Sequence, residues 1–113
     1  MLPGDLYWAD VPFTNRPGGK TRPILILVVN SEAHDVELIL EGTSKAFKNQ
    51  DLVKVIDFSK RGYLGMRAQG ITYFYLGGLR NDIHAADLKT KIGTMPRADF
   101  LEVMKKLKLK GQE

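Results

Sequence analysis

Gly18-Gly19-Lys20-Thr21-Arg22-Pro23-Ile24-Leu25-Ile26-Leu27-Val28-Val29-Asn30 is the most telling stretch of this chain. Ile24 to Val29 is an unbroken aliphatic run, introduced by Arg22-Pro23 and closed by a polar Asn30. A strand with one wet face alternates apolar and polar residues, so an unbroken run of this length predicts a strand buried on both faces and central in its sheet. Upstream, Thr14 to Thr21 reads TNRPGGKT. Its proline and two glycines resist ladder pairing and predict a mobile loop. Before the loop, Leu6-Tyr7-Trp8-Ala9-Asp10-Val11 is rich in strand-forming aromatic and aliphatic types, and Pro12 interrupts it.

Downstream, the short polar segment Asn30 to Asp35 leads to Val36-Glu37-Leu38-Ile39-Leu40, a third strand that Gly42-Thr43-Ser44 ends. Leu52 to Phe58 alternates imperfectly and predicts a strand burying Val53, Val55 and Ile56, with Ser59 to Gly62 as punctuation. Ile71 to Leu76 reads as a strand between Gly70 and the pair Gly77-Gly78, and Leu88 to Ile92 as a short one before Gly93. Both glycine pairs, Gly18-Gly19 and Gly77-Gly78, read as turns. Short strands separated by turns predict a mainly β small barrel or sandwich rather than alternating α/β units. The C-terminal segment departs from this. Pro96 suits a first helical turn, and Phe100, Val103, Met104 and Leu107 recur at i, i+3, i+4 and i+7. An amphipathic helix packed across the sheet is expected.

The 113 residues are 43% hydrophobic and 27% charged, enough apolar material for one core and too little charge bias for disorder. One domain spanning 1–113 is expected. With no cysteine, disulfides and thiolate metal sites are excluded. The N-terminus MLPGDLYWAD lacks a basic region followed by an apolar core, and no stretch is apolar enough to span a membrane, so a cytoplasmic protein without membrane contact is expected. The net charge of +4 is compatible with a polyanionic partner. Lys105, Lys106, Lys108 and Lys110, however, read equally well as the solvated face of the helix.

His34 and His84 stand far apart, in no metal-ligand spacing, and the chain has no nucleophile elbow, P-loop or dinucleotide fingerprint. The informative constellation is Gly19-Lys20-Thr21-Arg22-Pro23 ahead of the buried strand and Gly42-Thr43-Ser44 after the next one. If these strands are antiparallel neighbours, Arg22 and Thr43 meet. Residue types alone favour the plainer reading of Arg22 as a surface residue before a strand proline, and of Thr43-Ser44 as turn chemistry.

GDLYWADVPF, GGKTRPILILVVN, LILEGTSK, ITYFYLGGLRNDI and LKTKIGTMPRADFLEVMKKL follow one another in an order and spacing that resemble the MazF/PemK toxins of bacterial type II toxin–antitoxin pairs, across nearly the whole chain. The most specific element is Gly19-Lys20-Thr21-Arg22-Pro23 with the aliphatic strand behind it. The resemblance implies an SH3-like barrel of about five to seven strands with a C-terminal helix. It also implies a homodimer held in check by a cognate antitoxin, and metal-independent, sequence-specific endoribonuclease (mRNA interferase) activity on single-stranded RNA without a cofactor. Arg22 and Thr43 match the family's catalytic arginine and threonine. Ser44 falls at the adjacent hydroxyl, Arg16 where some relatives have a histidine, and Lys20 and Tyr75 join the RNA-binding set.

In such cleavage the RNA 2′-hydroxyl attacks its own phosphate, so the protein supplies orientation, proton transfer and charge stabilisation. Arg22 offers a permanently charged planar fork to two phosphate oxygens, whereas Thr43 and Ser44 donate hydrogen bonds but are too weak as bases to take the 2′-proton. Two departures stand out. Gly77 occupies the family's acidic position and Tyr75 the place of an arginine, which leaves the base unassigned. Two other readings follow: a non-catalytic RNA-binding relative that kept the phosphate grip, or a gyrase poison of the CcdB type, although Lys-Gly-Gln-Glu provides no apolar terminal anchor for the latter. Tyr73, Phe74 and Tyr75 could stack on bases, but Phe74 and Trp8 read first as core packing.

Overall fold

The computed structural model describes residues 1–45 and 53–111. Its strands are β1 (Asp5–Pro12), β2 (Gly19–Asn30), β3 (Asp35–Thr43), β4 (Val53–Asp57), β5 (Ile71–Arg80) and β6 (Leu88–Thr94), followed by one helix, α1 (Arg97–Gly111). The strands form one sheet in the order β4-β5-β3-β2-β1-β6, antiparallel at every pairing. The protein is mainly β, and the sheet curls into a half-barrel consistent with the small barrel expected from the sequence.

β2 shows why the aliphatic run is unbroken. Leu25 and Leu27 point into one apolar cluster with Leu6, Leu40, Phe74, Leu76 and Ile92, whereas Ile24 and Ile26 point into a second with Ala9, Val11, Ile39 and Ile83. Successive side chains of a strand project to opposite faces, so a strand between two apolar clusters needs no polar position. The N-terminal half of β2 pairs with β1 and the C-terminal half with β3. Bulges at Ile26–Val29 ease the transition by adding local twist.

Several expectations need correction. The loop after β1 is shorter than Thr14 to Thr21, because Gly19, Lys20 and Thr21 already pair with Pro12, Val11 and Asp10. Hairpin pairing overrides the reluctance of glycine to enter a strand. The Gly77-Gly78 pair is not a turn, since β5 runs through it to Arg80. Val55, expected in the core, is 40% exposed, whereas Val53, Lys54 and Ile56 are the buried residues of β4. Leu52, the expected start of that strand, lies outside the described residues.

Pro96 accepts the first helical bond from the Phe100 amide at 3.0 Å, so its missing N–H is no loss. Val103 is fully buried and Phe100 and Leu107 pack against the first cluster, but Met104, expected on the same stripe, is 38% exposed. The helix is also tied down by charge. Lys54 Nζ lies 2.8 Å from Asp99 Oδ1 and 2.5 Å from Glu102 Oε2, and the Tyr63 hydroxyl donates to Asp99 Oδ2. Burial alone would raise Asp99, but the bonds from Lys54 and Tyr63 hold it below the usual carboxylate range. Lys105 and Lys108 are exposed, but Lys106 bends back to the Val53 carbonyl; the Lys110 side chain lies outside the described residues. Among the described residues no helix is long and apolar enough to cross a membrane.

Candidate phosphate-binding groove

Ile24 on β2 pairs with Glu41 on β3, so Arg22 and Thr43, each two residues further on, converge on the same groove. Gly42 makes the approach possible. A Cβ there would sit 2.8 Å from Thr72 Cγ2, 2.9 Å from Phe74 Cε1 and 3.0 Å from the Pro23 carbonyl, closer than packing allows. Thr43 Oγ1 accepts from the Lys45 amide at 3.2 Å, which fixes the hydroxyl while leaving its proton to donate outward.

Two hollows meet at Arg22, Gly42, Thr43 and Lys45, which line both. The first, about 420 Å³, adds Glu41, Tyr75 and Gly78, and the second, about 210 Å³, adds Trp8, Lys20, Ser44 and Thr72 among its lining residues. Of the residues singled out in the sequence, Arg22 and Thr43 line both hollows, Tyr75 lines the first, and Ser44 and Lys20 line the second. Arg16 is not among the lining residues; its guanidinium lies 4.3 Å over the Phe13 ring in the β1–β2 loop. Trp8, read from the sequence as packing, is half-buried against the first cluster, donates from Nε1 to the Arg67 carbonyl at 3.1 Å, and lines the second hollow.

Two groove-side residues escaped the sequence reading. Glu41 binds Arg22 Nε through Oε1 at 2.9 Å and faces Arg80 Nη1 through Oε2 at 3.5 Å. Arg80 is held in turn by Asp82 at 2.9 and 2.6 Å and by the Pro12 carbonyl at 2.8 Å. The only sequence signal for Glu41 is a charged residue between an apolar strand and a glycine, because its partners come from other strands.

The β5 glycines acquire a role here. Leu40 pairs with Leu79 and Gly42 with Phe74, so residues 75–78 bulge opposite the single residue Glu41. Within the bulge the Tyr75 ring lies over Gly77: a Cβ at Gly77 would come within 2.5 Å of Tyr75 Cε1 and 2.7 Å of Cζ. Tyr75 and Gly77 thus form one arrangement, with the tyrosine ring filling the space a side chain at position 77 would need.

A larger hollow of about 520 Å³ lies nearby, but Asp10, Asp82 and Asp87 among its lining residues make it a poor seat for phosphate. Among the described residues no three His, Asp or Glu side chains gather as a metal site would require. Compared with models of known protein families and with curated protein sequences, the chain matches none.

Proposed function

We propose that this chain is a metal-independent endoribonuclease acting on single-stranded RNA, the toxin partner of an antitoxin whose extended segment fills the same groove, and that it works as a homodimer. One observation carries the reading: Arg22, Thr43 and Lys45 line two adjoining hollows, one reaching Tyr75 and the other reaching Lys20, Ser44 and Trp8. Cations and hydroxyl donors suit a phosphodiester, and aromatic faces suit unstacked bases. Arg22 meets Glu41 through Nε, so that contact does not involve its two terminal nitrogens, the pair that would grip phosphate oxygens as charge builds on them.

The test is incubation of the purified protein with single-stranded RNA in EDTA, mapping cut sites and end chemistry, beside Arg22→Ala and Arg22→Lys. Cleavage should yield 2′,3′-cyclic phosphate and 5′-hydroxyl ends. Loss of the guanidinium should slow it by about 100-fold or more, with lysine a poor substitute. Intact RNA across varied sequences would remove the nuclease reading, and salt-sensitive binding without a cut would favour the non-catalytic RNA-binding relative.

A further inference from the structure

We propose that Glu41 is the general base of the reaction, an assignment that rests on the ribonuclease reading above. Among the described residues lining the groove, Glu41 is the one carboxylate, and no histidine lines it. Thr43 and Ser44 cannot take a proton at neutral pH, and lysine and arginine are cations, so Glu41 is the group there with the chemistry of a base.

Its position suits the task. The attacking 2′-oxygen is a neighbour of the phosphorus it attacks, so the base must stand beside whatever grips the phosphate. The carboxylate touches Arg22 directly, at 2.9 Å. Arg80 Nη1, 3.5 Å from the other carboxylate oxygen, steadies it from behind and is itself clamped by Asp82 and the Pro12 carbonyl. Two cations from different strands thus hold the carboxylate, and a fixed rotamer is what proton abstraction requires.

The backbone opposite is cleared for a substrate. Gly78 presents no side chain where its Cβ would lie 4.0 Å from Glu41 Cβ, and the Tyr75 ring occupies the space where a side chain at position 77 would begin. The base therefore sits on β3, across the groove from the place on β5 where the family pattern leads one to look.

In the step, a Glu41 oxygen takes the 2′-hydroxyl proton while the 2′-oxygen forms its bond to phosphorus. The bond from phosphorus to the 5′-oxygen breaks, and that oxygen leaves with a proton from solvent. Glu41 returns its proton to water, so the products are a cyclic phosphate and a 5′-hydroxyl with no net consumption of water.

Three measurements decide the assignment, using single-stranded RNA for cutting and the same RNA with a 2′-deoxy nucleotide at the mapped cut site for binding. Glu41→Gln should cut about 100-fold or more slowly, within the usual worth of a positioned base, yet bind the deoxy RNA as tightly as the parent protein. Glu41→Ala should regain cutting as formate is added, because a small carboxylate can replace a missing base but cannot repair a structural tie. A Glu41→Gln protein that cuts at the parent rate overturns the assignment and leaves the ribonuclease reading standing. So does one that loses deoxy-RNA binding along with cutting while Glu41→Ala ignores formate. A parent protein that leaves RNA intact fails both readings together.

Discussion

At the scale of single residues, Tyr75 and Gly77 form one steric unit. The ring can lie along β5 because the next position on its face has no Cβ. Gly77→Ala should displace the ring and destabilise the protein by about 0.5–1.5 kcal/mol, the strain of an off-rotamer side chain. In a Tyr75→Ala background the same substitution should be nearly neutral. Urea unfolding of the four proteins, read as a double-mutant cycle, measures the coupling, and additive effects would dissolve the unit. That Arg22 and Thr43 meet was legible, because both lie near the ends of strands whose pairing the apolar runs announce. Glu41 was not, because a carboxylate in a strand acquires meaning only from the cations that face it. Those cations stand on β2 and at the far end of β5.

At the scale of elements, the apolar periods were sufficient for strand existence, and failures came where pairing rather than composition set the boundary. β5 passes through Gly77-Gly78 because both flanks of the bulge remain hydrogen-bonded to β3, and β2 begins at Gly19 because β1 is already there to pair. The helix stripe was legible in outline, but Met104 falls at its exposed margin, so apolar spacing overestimated the buried width. What anchors α1 besides packing is polar and long-range: the Lys54 ammonium, its side chain 10% exposed, between Asp99 and Glu102. Lys54→Ala leaves two neighbouring carboxylates without their shared cation. It should destabilise by about 1–3 kcal/mol, below the figure for a fully buried pair because both acids reach solvent. Urea unfolding gives the size, and faster amide exchange in α1 than in β2 would locate the loss in the helix.

At the scale of the whole molecule, stability should depend on pH through the contact that ties the β5–β6 connection to the start of β3. Asp35 Oδ2 lies 3.0 Å from His84 Nδ1, and Oδ1 accepts from the Ala85 amide at 2.7 Å. The Ala85 amide first, then His84 and the Val36 amide, bring Asp35 down from its ordinary 3.8 to about 2, and the hydrogen bond to Asp35 raises His84 above its ordinary 6.5. The raised imidazole stabilises fully below its unfolded value, and this contribution is lost as pH climbs through the folded one. The lowered carboxylate stabilises fully above 3.8, and its contribution is lost as pH falls toward about 2. The stability difference between the parent and His84→Gln should therefore be largest at about pH 4–6 and shrink above neutrality. Both groups face solvent, so the effect is small. Unfolding curves across that range check it, and a difference that grows toward alkaline pH would contradict the tie. Arg80 acts on a larger scale, since one guanidinium joins the end of β1, Glu41 on β3 and Asp82 beyond β5. That wall of the groove loses its conformational freedom when the chain folds, so a ligand settling against it has little left to immobilise, and association there forfeits correspondingly little entropy.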